Sequence, residues 1–151
     1  MGKKNIYSVP TWLTTNPNKN RFSKLYDDMV FSPAFLSLTN NQKLLLICMQ
    51  HEYNPSTKAK HPDNNVNEFY FNRSIYKKKY GLYSNDNQFY RDRDALIKKG
   101  FIIQVKGGYT TREKTVYKFS DRWQRWNGTD FELNSNERTG SMMKWGRHTK
   151  E

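Results

Sequence analysis

Cysteine is nearly absent. Cys48 stands alone in 151 residues, so no internal disulfide can form, and a lone thiol fits a reducing compartment. Histidine is almost as scarce: Cys48 and His51 lie three apart, with only His61 and His148 besides, too few ligands at too irregular a spacing for a zinc site. Long apolar runs are missing as well. None approaches the ~18 residues that span a bilayer, and Met1 to Tyr7 carries no apolar stretch of the signal-peptide kind. A soluble, cytoplasmic protein with no metal, no cofactor and no membrane partner is therefore expected. Hydrophobic residues make up 35% of the chain and mean hydropathy is −1.02, which leaves room for one modest core.

Two things are plentiful. Aromatic residues reach 15%, which argues against wholesale disorder and for a core rich in Tyr, Phe and Trp. Basic residues number 26 against 14 acidic ones, giving a net charge of +12. That charge is concentrated: Asn72 to Lys118 holds twelve Lys and Arg against four Asp and Glu, whereas Ser37 to Phe71 is balanced. A local basic excess of this kind suits phosphate, while spread charge would mainly set solubility.

The same basic stretch has a readable order of elements. Asn72 is a suitable helix cap and Gly81 a suitable stop, predicting a first helix over Arg73 to Tyr80. Leu82 and Tyr83 make a turn, Ser84 or Asn85 caps a second helix, and Gly100 ends it after Lys99. Two helices joined by a short turn form a helix-turn-helix. Phe101 to Val105 and Thr115 to Phe119 then read as a hairpin around an exposed tip, Tyr109 to Lys114. Helix, turn, helix, hairpin is the order of a winged helix.

Upstream, Thr39 and Gln42 have capping-box spacing ahead of the dense apolar run Leu44 to Met49, predicting a buried helix that reaches about Tyr53. Asn54 to Asn67 is loop-like, and Val66 to Phe71 reads as a first strand able to join the hairpin. Phe22, Leu25, Tyr26 and Met29 have helical spacing, so Phe22 to Val30 is expected to be a short helix. Ile6, Tyr7, Val9, Trp12 and Leu13 could dock a proline-interrupted arm on the domain. The resulting division is an N-terminal arm at 1–30, a DNA-binding domain at 31–123, and a polar extension at 124–151, part of it folding back or dimerising and part of it disordered.

The run Leu96-Ile97-Lys98-Lys99-Gly100-Phe101-Ile102 resembles the joint by which winged-helix domains pass from recognition helix into wing. Phe31 to Thr39 with the following Leu44 to Met49 is similar to the first helix of small winged-helix proteins carried by phages, plasmids and conjugative elements of Gram-positive bacteria. The resemblance covers roughly Phe31 to Trp123. It implies an α+β fold, a three-helix core with a two- to three-stranded wing sheet, flanked by N- and C-terminal extensions. One position departs from the pattern: Arg93, three before Leu96, stands where such helices are apolar, and faces either core or DNA.

If Phe89 and Leu96 face the core, Asn87, Gln88 and Arg91 lie near the outer start of the second helix. Arg pairs with guanine and Asn or Gln with adenine, so these three are the expected base readers. Arg73, Lys77, Lys78, Lys79, Tyr90 and Lys98 are expected on the DNA backbone, and Tyr109, Thr111, Arg112 and Lys114 on the wing. Tyr90 has a core role as its alternative, and Arg91 and Arg93 could instead pair with Asp86, Asp92 or Asp94.

Enzymes of mobile elements are not expected here. A rolling-circle nickase needs a His-x-His pair, a tyrosine recombinase needs an Arg, His-x-x-Arg and Tyr set, and neither is present; nor is a phosphate loop or a Gly-x-Ser-x-Gly elbow. The expected activity is sequence-specific binding of double-stranded DNA, for transcriptional regulation or as an origin-binding accessory of plasmid replication or conjugative transfer. A homodimer or other replication or transfer proteins are the further partners. The alternatives are an adaptor whose basic face meets an acidic protein, and a non-specific nucleic-acid binder.

Overall fold

In a computed structural model of the chain, the described residues are 23–53, 68–107 and 114–138. The docking of Trp12, the loop before β1, His61, and the wing-tip residues Tyr109, Thr111 and Arg112 lie outside them. Two short helices lead in, α1 (Asp27–Val30) and α2 (Pro33–Leu36). Ser32 builds the corner between them, donating its hydroxyl to Met29 O at 2.6 Å and accepting from Phe35 N at 3.2 Å. The expected helix from Phe22 is shorter than its spacing suggested. It starts only at Asp27, where two carboxylates suit a first turn, and leaves Leu25 and Tyr26 exposed.

Helix α3 (Asn40–Glu52) starts on the expected capping box. Thr39 N donates to Gln42 Oε1 at 3.0 Å and Gln42 N to Thr39 Oγ1 at 3.3 Å, so each residue's side-chain oxygen satisfies the other's otherwise orphaned backbone N–H. Its inner face supplies Leu45, Leu46, Cys48 and Met49 to the core. Burial raises the pKa of the Cys48 thiol.

Strand β1 (Glu68–Tyr70) is followed by α4 (Ser74–Lys79) and α5 (Asp86–Lys98). Helix α4 differs from the ordinary helix expected. Its turns are wide and π-like, with Tyr80 N bonded to Ile75 O at 3.2 Å. A segment this short takes its stability from packing rather than from its own ladder. Tyr76 within it and Tyr80 just after it are drawn onto core rings, Tyr76 stacking on Phe89 at 4.1 Å and Tyr80 on Phe71 at 6.2 Å.

Helix α5 ends as the Leu-to-Gly-Phe spacing implies. Phe101 N reaches back to Leu96 O at 2.9 Å and Gly100 N to Ile97 O at 3.0 Å, a Schellman closure with Leu96 and Phe101 both buried. Gly100 has φ +88°, and a Cβ there would lie 2.5 Å from Trp123 N. Gly100→Ala should therefore lower stability by about 1–3 kcal/mol, seen as a lower urea midpoint with an unchanged m-value.

Strands β2 (Ile102–Lys106) and β3 (Val116–Phe119) form the hairpin, and β1 adds to β3, giving a three-stranded antiparallel sheet of order β1-β3-β2. The chain is thus α+β, its helices packed on one small sheet around Phe69, Phe71, Leu96, Ile97, Phe101, Ile102 and Tyr117. Residues 131–138 run along the outside of β2, so part of the polar extension does fold back. No helix among the described residues is long and apolar enough to cross a membrane.

Candidate nucleic-acid interface

Helix α5 buries Phe89, Asp92, Arg93, Leu96 and Ile97. The opposite side presents Arg91 and Lys98 to solvent, with Asn87 and Gln88 half-buried near its start. Asn85 caps the helix by accepting from Asn87 N at 2.9 Å. The turn ahead of it is held in a left-handed conformation at Tyr83, φ 55°, a position that non-glycine residues occupy at a cost.

That turn is fixed by a buried carboxylate. Asp92, 2% exposed, accepts from Tyr83 Oη at 2.7 Å, from Gln88 Nε2 at 3.1 Å and from Gln42 Nε2 at 3.4 Å. One anion thus ties α3, the turn and α5 together through neutral donors. Burial and Asp92 together raise the Tyr83 phenol above its ordinary pKa, so it remains a donor. Gln88, expected as a base reader, has its amide nitrogen committed to this bond.

Arg93 faces the core. At 1% exposure it donates to Asp94 Oδ1 through Nε at 3.0 Å and Nη2 at 2.7 Å, to Gln104 Oε1 at 2.8 Å and to the carbonyl of Glu137 at 3.1 Å. Burial alone would lower its pKa, but Tyr117 and Asp94 against it raise the net value, so the charge stays on. Its guanidinium also lies 5.0 Å from the Tyr90 ring, which packs edge-on to Phe89 at 5.3 Å. Tyr90, expected on the DNA backbone with a core role as its alternative, is half-buried between the Arg93 guanidinium and the Phe89 ring.

The outer edge of β2 is occupied by the same network. Asn134 and Glu137 form a second capping box, with Asn134 N donating to Glu137 Oε1 at 2.7 Å and Glu137 N to Asn134 Oδ1 at 2.9 Å. Glu137 Oε2 accepts from Gln104 N at 3.0 Å, Asn134 Nδ2 donates to Gln104 O at 3.1 Å, and Asn136 Nδ2 to Val105 O at 3.0 Å. Edge strands expose unpaired backbone groups, and here side chains satisfy them. Gln104 Nε2 then reaches Gly107 O at 2.7 Å, carrying the network to the base of the hairpin tip. Sequence reasoning missed Gln104, Asn134 and Glu137. The spacing of Asn134 to Glu137, a cap residue three before a glutamate, was the available signal.

The basic residues divide into two groups. Arg73 and Lys77 approach Asp86 at 3.3 and 3.2 Å, and Lys79 approaches Glu52 at 2.7 Å. Three expected backbone contacts thus begin with partners on the chain itself. Glu52 also accepts from Tyr80 Oη at 2.8 Å, and His51 Nδ1 lies 2.9 Å from the same hydroxyl, which engages that imidazole at the far end of α3. Lys78, Arg91 and Lys98 are exposed, and Lys114 is exposed with its ammonium 5.2 Å from the Tyr70 ring. Among the described residues no three His, Cys, Asp or Glu side chains gather as metal ligands.

Comparison of the chain with protein-family models, with curated proteins and with solved structures finds no match.

Proposed function

We propose that the chain is a winged-helix, sequence-specific double-stranded-DNA-binding protein of a mobile genetic element, acting as a transcriptional regulator or as an origin-binding accessory in plasmid replication or conjugative transfer. The observation that carries the proposal is the order α3, β1, α4, α5, β2, β3 with β3 at the sheet centre and Arg91 and Lys98 on the outer side of α5. A helix presented this way fits the major groove, and the hairpin beside it can reach the neighbouring backbone. The mobile-element part rests on the sequence resemblance. The proposed action is non-enzymatic and needs no cofactor.

In this reading Asn87 and Arg91 read bases, Gln88 assists within the limits Asp92 sets, and Lys78, Lys98 and Lys114 hold phosphate. The test uses a duplex selected by the protein from a randomised pool, against a scrambled duplex. Arg91→Ala is expected to lose about 1–3 kcal/mol on the selected duplex and little on the scrambled one. Lys78→Ala should weaken both alike and reduce the salt slope by about 0.9. Equal losses on both duplexes for both variants would reverse the assignment of readers.

A second reading is an adaptor whose basic face binds an acidic protein. The pairing of Arg73, Lys77 and Lys79 with carboxylates of the chain itself favours it. Failure to select any duplex, with tight binding to acidic peptides, would establish it.

A further inference from the structure

Between the starts of α4, α5 and β3 lies a cleft of about 310 Å³, lined by Asn72, Arg73, Asp86, Tyr90 and Thr115 over a floor of aromatic rings. On α5 it is lined by the side that carries Asp86, Phe89 and Tyr90, and the proposed function would bring a DNA strand past its exposed Arg73 edge. Its charges are arranged unequally. Asp86 is held from the protein side by Tyr76 Oη at 2.7 Å, a hydroxyl only 3% exposed as a residue, and by Lys77 at 3.2 Å. Burial, and then the bond to Asp86, raise the Tyr76 phenol above its ordinary pKa, so that anchor does not titrate away. Arg73 is the outer partner: its side chain is 69% exposed against 24% for Lys77.

We infer that this cleft is a seat for one DNA backbone phosphodiester, closed in the free protein by Asp86, and that Arg73 turns from Asp86 to the phosphate only when the duplex is fully docked. The inference rests on the proposed DNA binding. Four properties make the exchange workable. An exposed ion pair is weak, so releasing Arg73 costs little. Asp86 keeps Tyr76 and Lys77 when Arg73 leaves, so no buried anion is stranded. A guanidinium matches phosphate oxygens with two parallel donors, which an ammonium cannot do. Seen from a distance Asp86 offsets one of the two charges of Arg73 and Lys77, so the three attract loose phosphate as one cation and not as two. Arg73 would therefore add more to close, correctly placed docking than to loose encounters, making Asp86 a specificity-determining residue that acts through Arg73.

The test compares the full chain with Arg73→Gln, Asp86→Asn and the double variant, titrating the selected and scrambled duplexes from 50 to 200 mM salt by fluorescence anisotropy. Arg73→Gln is expected to lower the salt slope on the selected duplex by about 0.9 and the scrambled slope by clearly less. Asp86→Asn should raise affinity for the scrambled duplex and steepen its slope by about 0.9, and by less in the Arg73→Gln background, where only the more buried Lys77 is uncovered. If Arg73→Gln alters both slopes equally or neither, the seat is overturned while DNA binding stands. If Asp86→Asn acts alike in both backgrounds, its coupling to Arg73 is overturned. Should Asp86→Asn fail to fold, the two Arg73→Gln slopes decide alone. If the pool yields no selected duplex, the DNA-binding reading and this inference fall together.

Discussion

Arg93→Ala is expected to destabilise the domain by about 3–5 kcal/mol, the cost of removing one partner from a buried charge network. The substitution removes the guanidinium donors from the Asp94 carboxylate, the Gln104 side-chain oxygen and the Glu137 carbonyl, and it empties the space beneath Tyr90. Arg93→Lys should recover only part of the loss, because a single ammonium cannot reach three separated acceptors from one plane. Arg93→Met keeps volume and should fall between them. Urea denaturation of the three variants would measure the series. A near-zero change for Arg93→Ala would mean that α5, β2 and the 131–138 segment are held together by apolar packing alone. The same network implies that the segment belongs to the domain and not to a dispensable tail, since the outer groups of Gln104 and Val105 depend on it.

The other large expected effect is on binding. Raising salt from 50 to 200 mM should weaken DNA affinity about 10³-fold if six phosphates are neutralised. Lys78, Arg91, Lys98 and Lys114 are exposed, Arg73 joins them on docking, and Arg112, outside the described residues, is the sixth on the sequence reading. The estimate decides between readings because Lys77 and Lys79 are already paired. Were most of the cations on this face paired within the fold in this way, the slope would be shallow and the loss under tenfold. A shallow slope with a protein partner in hand would favour the adaptor.

Local chemistry made much of the fold legible in the sequence. Thr39 with Gln42, Asn85, and Gly100 followed by Phe101 each specify a helix end through bonds spanning five residues or fewer. The hairpin and the joining of β1 followed from β-branched and aromatic runs between turn residues. What stayed hidden depends on distant partners. Nothing near Arg93 announces that Gln104 lies 11 residues away and Glu137 44 residues away, so the sequence left its side chain facing either core or DNA. Asp86 and Glu52 likewise claim cations that spacing alone assigns to phosphate. The wide turns of α4 escaped because its capping signals are those of an ordinary helix, while tertiary packing of Tyr76 and Tyr80 sets its pitch. Of the residues expected at the interface, Arg91, Lys78 and Lys98 were legible as exposed cations, and Gln88 and Tyr90 were drawn inward by Asp92 and Arg93.

The most direct measurement of the central claim is retention of fragmented genomic DNA from the source organism by the purified protein in about 150 mM salt, followed by sequencing of what is held; at that salt specific sites should outcompete non-specific ones by roughly 10³ or more. The account predicts one or a few sharp peaks, over a promoter beside the chain's own gene for a regulator, or over a replication or transfer origin for an accessory of DNA processing. Uniform retention without a peak, or no retention, would contradict it.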